Sequence, residues 1–139
     1  MEALDNLVRI RRLKAEPPDA RGFEGMLKAA DTKLRDACIE GLSEDSQFSL
    51  AYGAAHALSL AALRWHGYRS ESRYIVFQCL QHTIGLPNAK WRVLDKCHSA
   101  RNLAEYEGHM DVNPQLLKEL IAITRELQSL VRDLPPIGN

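Results

Sequence analysis

The sequence predicts an all-α protein, an up-and-down antiparallel bundle of five to six helices. Apolar residues recur at three- and four-residue steps along most of the chain, and the helical stretches are joined by connections of only a few residues. Period-2 alternation of β-branched residues is almost absent; the most strand-like run, Tyr74-Ile75-Val76-Phe77, sits inside a longer helical pattern. With 139 residues, 45% of them hydrophobic, the chain has material for one domain over 1–139 with a real core, and not for a multidomain enzyme.

Residues 1–20 read as an N-terminal docking helix followed by a proline-rich turn. Leu4, Leu7, Val8 and Arg11 fall on one side of a helix from about Leu4 to Lys14, which Pro17-Pro18 prevents from continuing. A second helix carries Phe23, Leu27, Ala30, Leu34 and Ala37 on one face and is expected to end at Gly41. Oxygen-bearing side chains in Leu42-Ser43-Glu44-Asp45-Ser46 then cap a third helix that runs to Gly67. Its alanines at 51, 54, 55, 61 and 62 let neighbours approach on nearly all sides, which makes it the expected central helix, with Tyr52 and Trp65 filling its ends. The fourth carries Tyr74, Phe77, Leu80 and Ile84 before Gly85-Leu86-Pro87 breaks it. Asn88 is the expected cap of a fifth, from about Ala89 to Glu107, with Gly108 as its stop. Asn113 and Pro114 open the last, whose stripe is Leu116, Leu120, Ile123, Leu127, Leu130 and Leu134; residues 135–139 read as a flexible tail.

Eighteen basic residues balance eighteen acidic ones, so nucleic-acid binding would need a local patch rather than a global field. Three cysteines, Cys38, Cys79 and Cys97, do not form a disulfide framework. No apolar run is long enough to span a bilayer, and the opening MEALDNLVRIRRLK lacks the order of a signal peptide; a cytoplasmic protein without membrane attachment is expected.

The fifth helix concentrates the chemistry. His98, Asn102 and Tyr106 are spaced four apart and form one stripe, Arg101 and Glu105 form a second beside it, and Asp95 lies one turn before His98. The plain alternative is an intrahelical Arg101–Glu105 ion pair with Tyr106 as a core aromatic, a structural polar helix with no site. Cys79 and His82, with Cys97 and His98, contain zinc-ligand types, but adjacent helical residues diverge by about 100° and no metal is expected. No phosphate-binding glycine loop, nucleophile elbow or His-Glu-x-x-His is present, and His56 and His66 lack an obvious acidic partner. Two basic clusters remain, Arg9, Arg11, Arg12 and Lys14 near the start, and Arg64, Arg69 and Arg73 beside Trp65 and Tyr68. Either is able to meet phosphate or simply to be solvated.

The order of a helix bearing Asp36-Ala37-Cys38-Ile39-Glu40-Gly41-Leu42-Ser43, the alanine-rich Leu50-Ala51-Tyr52-Gly53-Ala54-Ala55, Gly67-Tyr68-Arg69 and Arg101-Asn102-Leu103-Ala104-Glu105-Tyr106 resembles the HEPN (higher eukaryotes and prokaryotes nucleotide-binding) domain family, from about Phe23 to Leu134. The resemblance implies a homodimer without cofactor, and a place among toxin–antitoxin or defence proteins. Many such proteins resemble metal-independent RNases whose motif is an Arg, a polar residue and a His further along the helix. Arg101 and Asn102 match the first half; Tyr106 stands where the His is expected, and His109 lies beyond Gly108. Tyrosine, with an ordinary pKa of about 10, is a poor base near neutral pH. The implied function is therefore a non-catalytic module bound to nucleic acid or to a protein, such as the nucleotidyltransferase often associated with this family, for which the Tyr106 hydroxyl offers a place of modification. The alternative is an RNase in which Arg101 stabilises phosphorane charge and His98, oriented by Asp95, or His109 supplies the imidazole.

Overall fold

The computed structural model describes residues 1–108 and 112–138 and is an all-α bundle. Its helices are α1 (Glu2–Arg9), α2 (Ala20–Ala37), α3 (Glu44–Trp65), α4 (Arg73–Gln78), α5 (Leu80–Thr83), α6 (Asn88–Glu107) and α7 (Pro114–Arg132). α4 and α5 are two pieces of the expected fourth helix, separated at Cys79. A two-residue antiparallel ribbon, β1 (Lys14–Ala15) with β2 (Tyr68–Arg69), ties the N-terminal segment to the turn after α3.

Side-chain caps set several helix starts. Asp19 accepts from the Gly22 amide at 2.9 Å, Ser43 from Ser46 at 3.1 Å, and Asn113 from Gln115 and Leu116. α3 is the central helix and packs against α2, α4, α5, α6, α7 and β2. Ala51, Ala54, Ala55, Ala61 and Ala62 are fully buried, so the backbones of its neighbours come close to its axis. Its buried Ser59 and, on α7, Thr124 return their hydroxyls to the carbonyls of Ala55 and Leu120, which leaves neither donor unpaired. The five predicted apolar residues of α2 line the same core. A smaller cluster of Leu4, Leu13, Leu63, Tyr68, Ile75, Val76 and Cys79 holds α1 against α3 and α4.

Several boundaries differ from the sequence expectation. α1 stops at Arg9 rather than near Lys14, because the chain reverses at Arg11 to bring Leu13 into the second cluster; Arg11 is exposed, not on an apolar face. α2 ends at Cys38, and Gly41 serves instead in the following turn with φ +92°. Asn88 does not cap α6: Pro87 holds the cap position, and the Asn88 amide oxygen accepts from Trp91 Nε1 at 2.8 Å. On α7 the buried face is Leu117, Leu120, Ile123, Thr124, Leu127 and Val131, with Leu116, Leu130 and Leu134 at its margin, because α7 lies between α2, α3 and α6 rather than on one partner. The segment after α7 is tethered rather than frayed: Trp65 Nε1 donates to the Pro135 carbonyl at 2.7 Å, and Ile137 packs on the core. Among the described residues no helix is long and apolar enough to cross a membrane.

Close packing around α3 makes it intolerant of larger side chains. Ala55→Leu is expected to lower stability by about 1–3 kcal/mol through overpacking, read as a lower urea midpoint at unchanged slope.

Candidate functional site

Tyr52 organises the site. It lies on α3 and is only 1% exposed, and its ring contacts Phe48, Phe77 and His98. A buried phenol needs a partner for its hydroxyl, and His98 of α6 supplies it, with Nδ1 2.8 Å from the Tyr52 oxygen. The other ring nitrogen, Nε2, is 3.2 Å from Asn102 Nδ2, one turn along α6. In the neutral ring one of these two nitrogens donates and the other accepts. Both imidazole nitrogens are thus engaged within the chain.

Two guanidinium groups converge on the Tyr52 ring. Arg73, at the first position of α4, lies 5.4 Å from the ring centroid, and Arg101 of α6 lies 5.3 Å from it. Arg101 is also paired with Glu105 at 3.0 Å, whereas Arg73 has no carboxylate partner among the described residues. His56, one turn after Tyr52 on α3, packs edge-on against Phe77. Its pKa is pushed down to about 4, first by burial and then by Arg73, Lys33, Arg101 and His98. The His98 pKa is lowered by burial; Asp95 opposes that shift, while Arg73 and Arg101 reinforce it. Burial raises the Tyr52 pKa, against the pull of the two arginines. Lys33, Arg73 and Arg101 thus place positive charge around neutral His56 and His98 rings.

The structure brings together His98, Asn102 and Arg101, with Glu105 attached through Arg101. It gives the orienting hydrogen bond on His98 to Tyr52; Asp95 acts on the ring only through its charge. Tyr106 is not a core aromatic, being 91% exposed. His109 lies outside the described residues. No three His, Cys, Asp or Glu groups converge as metal ligands among the described residues, and burial pushes the Cys79 and Cys97 thiols up to about 11 and about 12, which makes them poor thiolate ligands.

Lys33, Tyr52, His56 and Arg73 were not assigned to the site from sequence. The Tyr52 and His56 spacing of four on a helix otherwise lined with small residues was the available signal. Arg73 was hidden in a basic cluster that the fold divides: Arg64 holds the Glu16 and Pro17 carbonyls and the Glu16 carboxylate, Arg69 pairs with Glu16 and Glu71, and Arg73 alone reaches Tyr52.

No family model, no curated protein and no solved structure matches the chain.

The lowered His56 pKa has a signed consequence. The unfolded chain binds a proton near pH 6.5 that the folded chain refuses until about pH 4, so stability is complete above 6.5 and declines as pH falls through that window. The decline is expected to approach, and not exceed, about 1.4 kcal/mol per pH unit for this one group. His56→Gln is expected to flatten the dependence of the urea midpoint on pH between 6.5 and 4; an equally steep profile in the variant would refute the assignment.

Proposed function

We propose that this chain is a HEPN-like, homodimeric helical-bundle module that binds the phosphates of RNA at Arg73 and Arg101, beside Tyr52, without cleaving them. The observation that carries the reading is the convergence of Arg73 and Arg101 on Tyr52 beside a neutral His98. Guanidinium groups suit phosphate oxygens, and an arginine held over an aromatic ring is already oriented for a ligand. The engaged nitrogens of His98, the Arg101–Glu105 ion pair and the tyrosine at position 106 speak for binding rather than transphosphorylation, because both His98 nitrogens already hold partners within the chain.

Assembly is supported by the end of α6. After Cys97 this helix buries no further side chain among the described residues, and Leu103 (56% exposed) and Tyr106 face solvent on the same helix as Arg101. A second copy would cover these apolar groups. The exposure of Tyr106 also favours a second reading, in which a nucleotidyltransferase-type partner modifies its hydroxyl within a toxin–antitoxin or defence-type pair.

Arg73→Gln and Arg101→Ala are each expected to weaken single-stranded RNA binding by about tenfold and to make the logarithmic salt dependence shallower by about one, with melting temperatures near wild type. Fluorescence anisotropy at several salt concentrations measures both. RNA cleavage in chelator that Arg101→Ala abolishes would replace this reading with the RNase one, and equal affinity in all three proteins would remove the Tyr52 site from function. Leu103→Glu is expected to turn a dimer into a monomer in light scattering after size exclusion; an unchanged mass would remove α6 from the interface.

A further inference from the structure

A second positive site lies in a hollow of about 260 Å³ whose lining includes none of Lys33, Tyr52, His56, Arg73, His98 and Arg101. Arg11, Arg12 and Lys14 come from the turn after α1 and from β1; Arg69, Ser70, Glu71 and Ser72 come from β2 and the turn into α4. The side chains of Arg11, Arg12 and Lys14 are exposed, and none has an ion-pair partner among the described residues. Glu71, the one carboxylate in the lining, is occupied with Arg69 at 3.5 Å.

Two local rules are broken at this place. The Arg12 amide donates to the Leu7 carbonyl at 2.8 Å and the Arg11 amide to the Val8 carbonyl at 3.0 Å, the paired bonds that close a helix by a Schellman turn. The residue that must take the left-handed conformation in such a turn is usually glycine. Here it is Arg11, with φ +62°, the one non-glycine with positive φ among the described residues. In the β ribbon Lys14 stands directly opposite Arg69, which points two like charges to the same side of a cross-strand pair. Backbone strain and a group of unpaired cations thus meet in one concave place, as expected where a sequence gives up local stability for a ligand.

We infer that this hollow binds a phosphate group, either of a free phosphate or diphosphate ligand or of a nucleic-acid backbone. Three unpaired cations supply the charge, and the Ser70 hydroxyl, whose oxygen accepts from the Ser72 amide at 3.1 Å, retains its own proton to donate. The volume suits a phosphate or diphosphate and is small for a large cofactor.

The test uses inorganic pyrophosphate and, separately, a short single-stranded RNA, each titrated by calorimetry at low salt into wild type, Arg12→Glu, Arg11→Gly and Arg73→Gln. Wild type is expected to bind pyrophosphate, Arg12→Glu to bind it at least tenfold more weakly, and Arg11→Gly several-fold more weakly. Because glycine relieves the left-handed strain, Arg11→Gly is expected to melt no lower than wild type, so its weaker binding reports a lost ligand contact rather than a damaged fold, even if Arg12→Glu fails to fold. A free phosphate ligand is indicated if RNA affinity is unchanged in Arg11→Gly and Arg12→Glu; a backbone phosphate is indicated if RNA affinity falls in both while pyrophosphate does not bind. Arg73→Gln leaves this hollow intact, so failure of the Tyr52 site reads out separately. The inference is overturned if both pocket variants match wild type toward pyrophosphate and RNA alike.

Discussion

The alanine-rich surface of α3 is the constraint from which the rest of the structure follows. Small side chains at 51, 54, 55, 61 and 62 bring α2 and α7 close to its axis and leave little room for a large residue. Tyr52 is the large polar-tipped residue held inside that packing. Its ring is anchored by Phe48 and Phe77, and its hydroxyl takes a hydrogen-bond partner from α6. His98 meets that need, and the register this contact imposes on α6 carries Asn102 onto the His98 ring and Arg101 over the Tyr52 ring. A packing requirement at the centre of the bundle therefore fixes the geometry of polar groups at its surface.

Charge is distributed by partnership rather than by count. The chain is neutral, and several of its arginines are used to hold the fold together: Arg64 binds the proline-rich turn through two carbonyls and Glu16, and Arg132 pairs with Asp31 of α2. Ion pairs of this kind contribute modestly to stability but fix where segments lie. Among the described residues, cations without a carboxylate partner include Arg73 beside Tyr52 and Arg11, Arg12 and Lys14 in the hollow between the α1 turn and β2. These unpaired cations give a neutral molecule two local positive fields.

The termini share a mechanical role. The N-terminal helix is held by a short ribbon, by the contact of the Tyr68 hydroxyl with Asp5 and by a satellite apolar cluster; the C-terminal prolines are held by Trp65. Both attach near the end of α3 and the turn that follows it, so the segment from Trp65 to Arg73 links the ends of the chain to the arginine of the Tyr52 site.

Helical class, the central place of the alanine-rich helix, the apolar face of α2 and the stop of α6 at Gly108 were all legible in the sequence, because each rests on spacing or backbone chemistry that acts within a few residues. So was the intrahelical geometry of His98, Asn102, Arg101 and Glu105, since residues four apart on a helix meet whatever the fold. What the sequence did not determine depends on contacts between distant residues. The early end of α1 answers to Leu13 finding Leu63 and Tyr68; the burial of Tyr52, the selection of Arg73 from its neighbours and the hold of Trp65 on Pro135 each join segments well separated along the chain. Local propensity fixes which faces exist, and only the packing of those faces against one another decides which polar side chains lose water and must find each other.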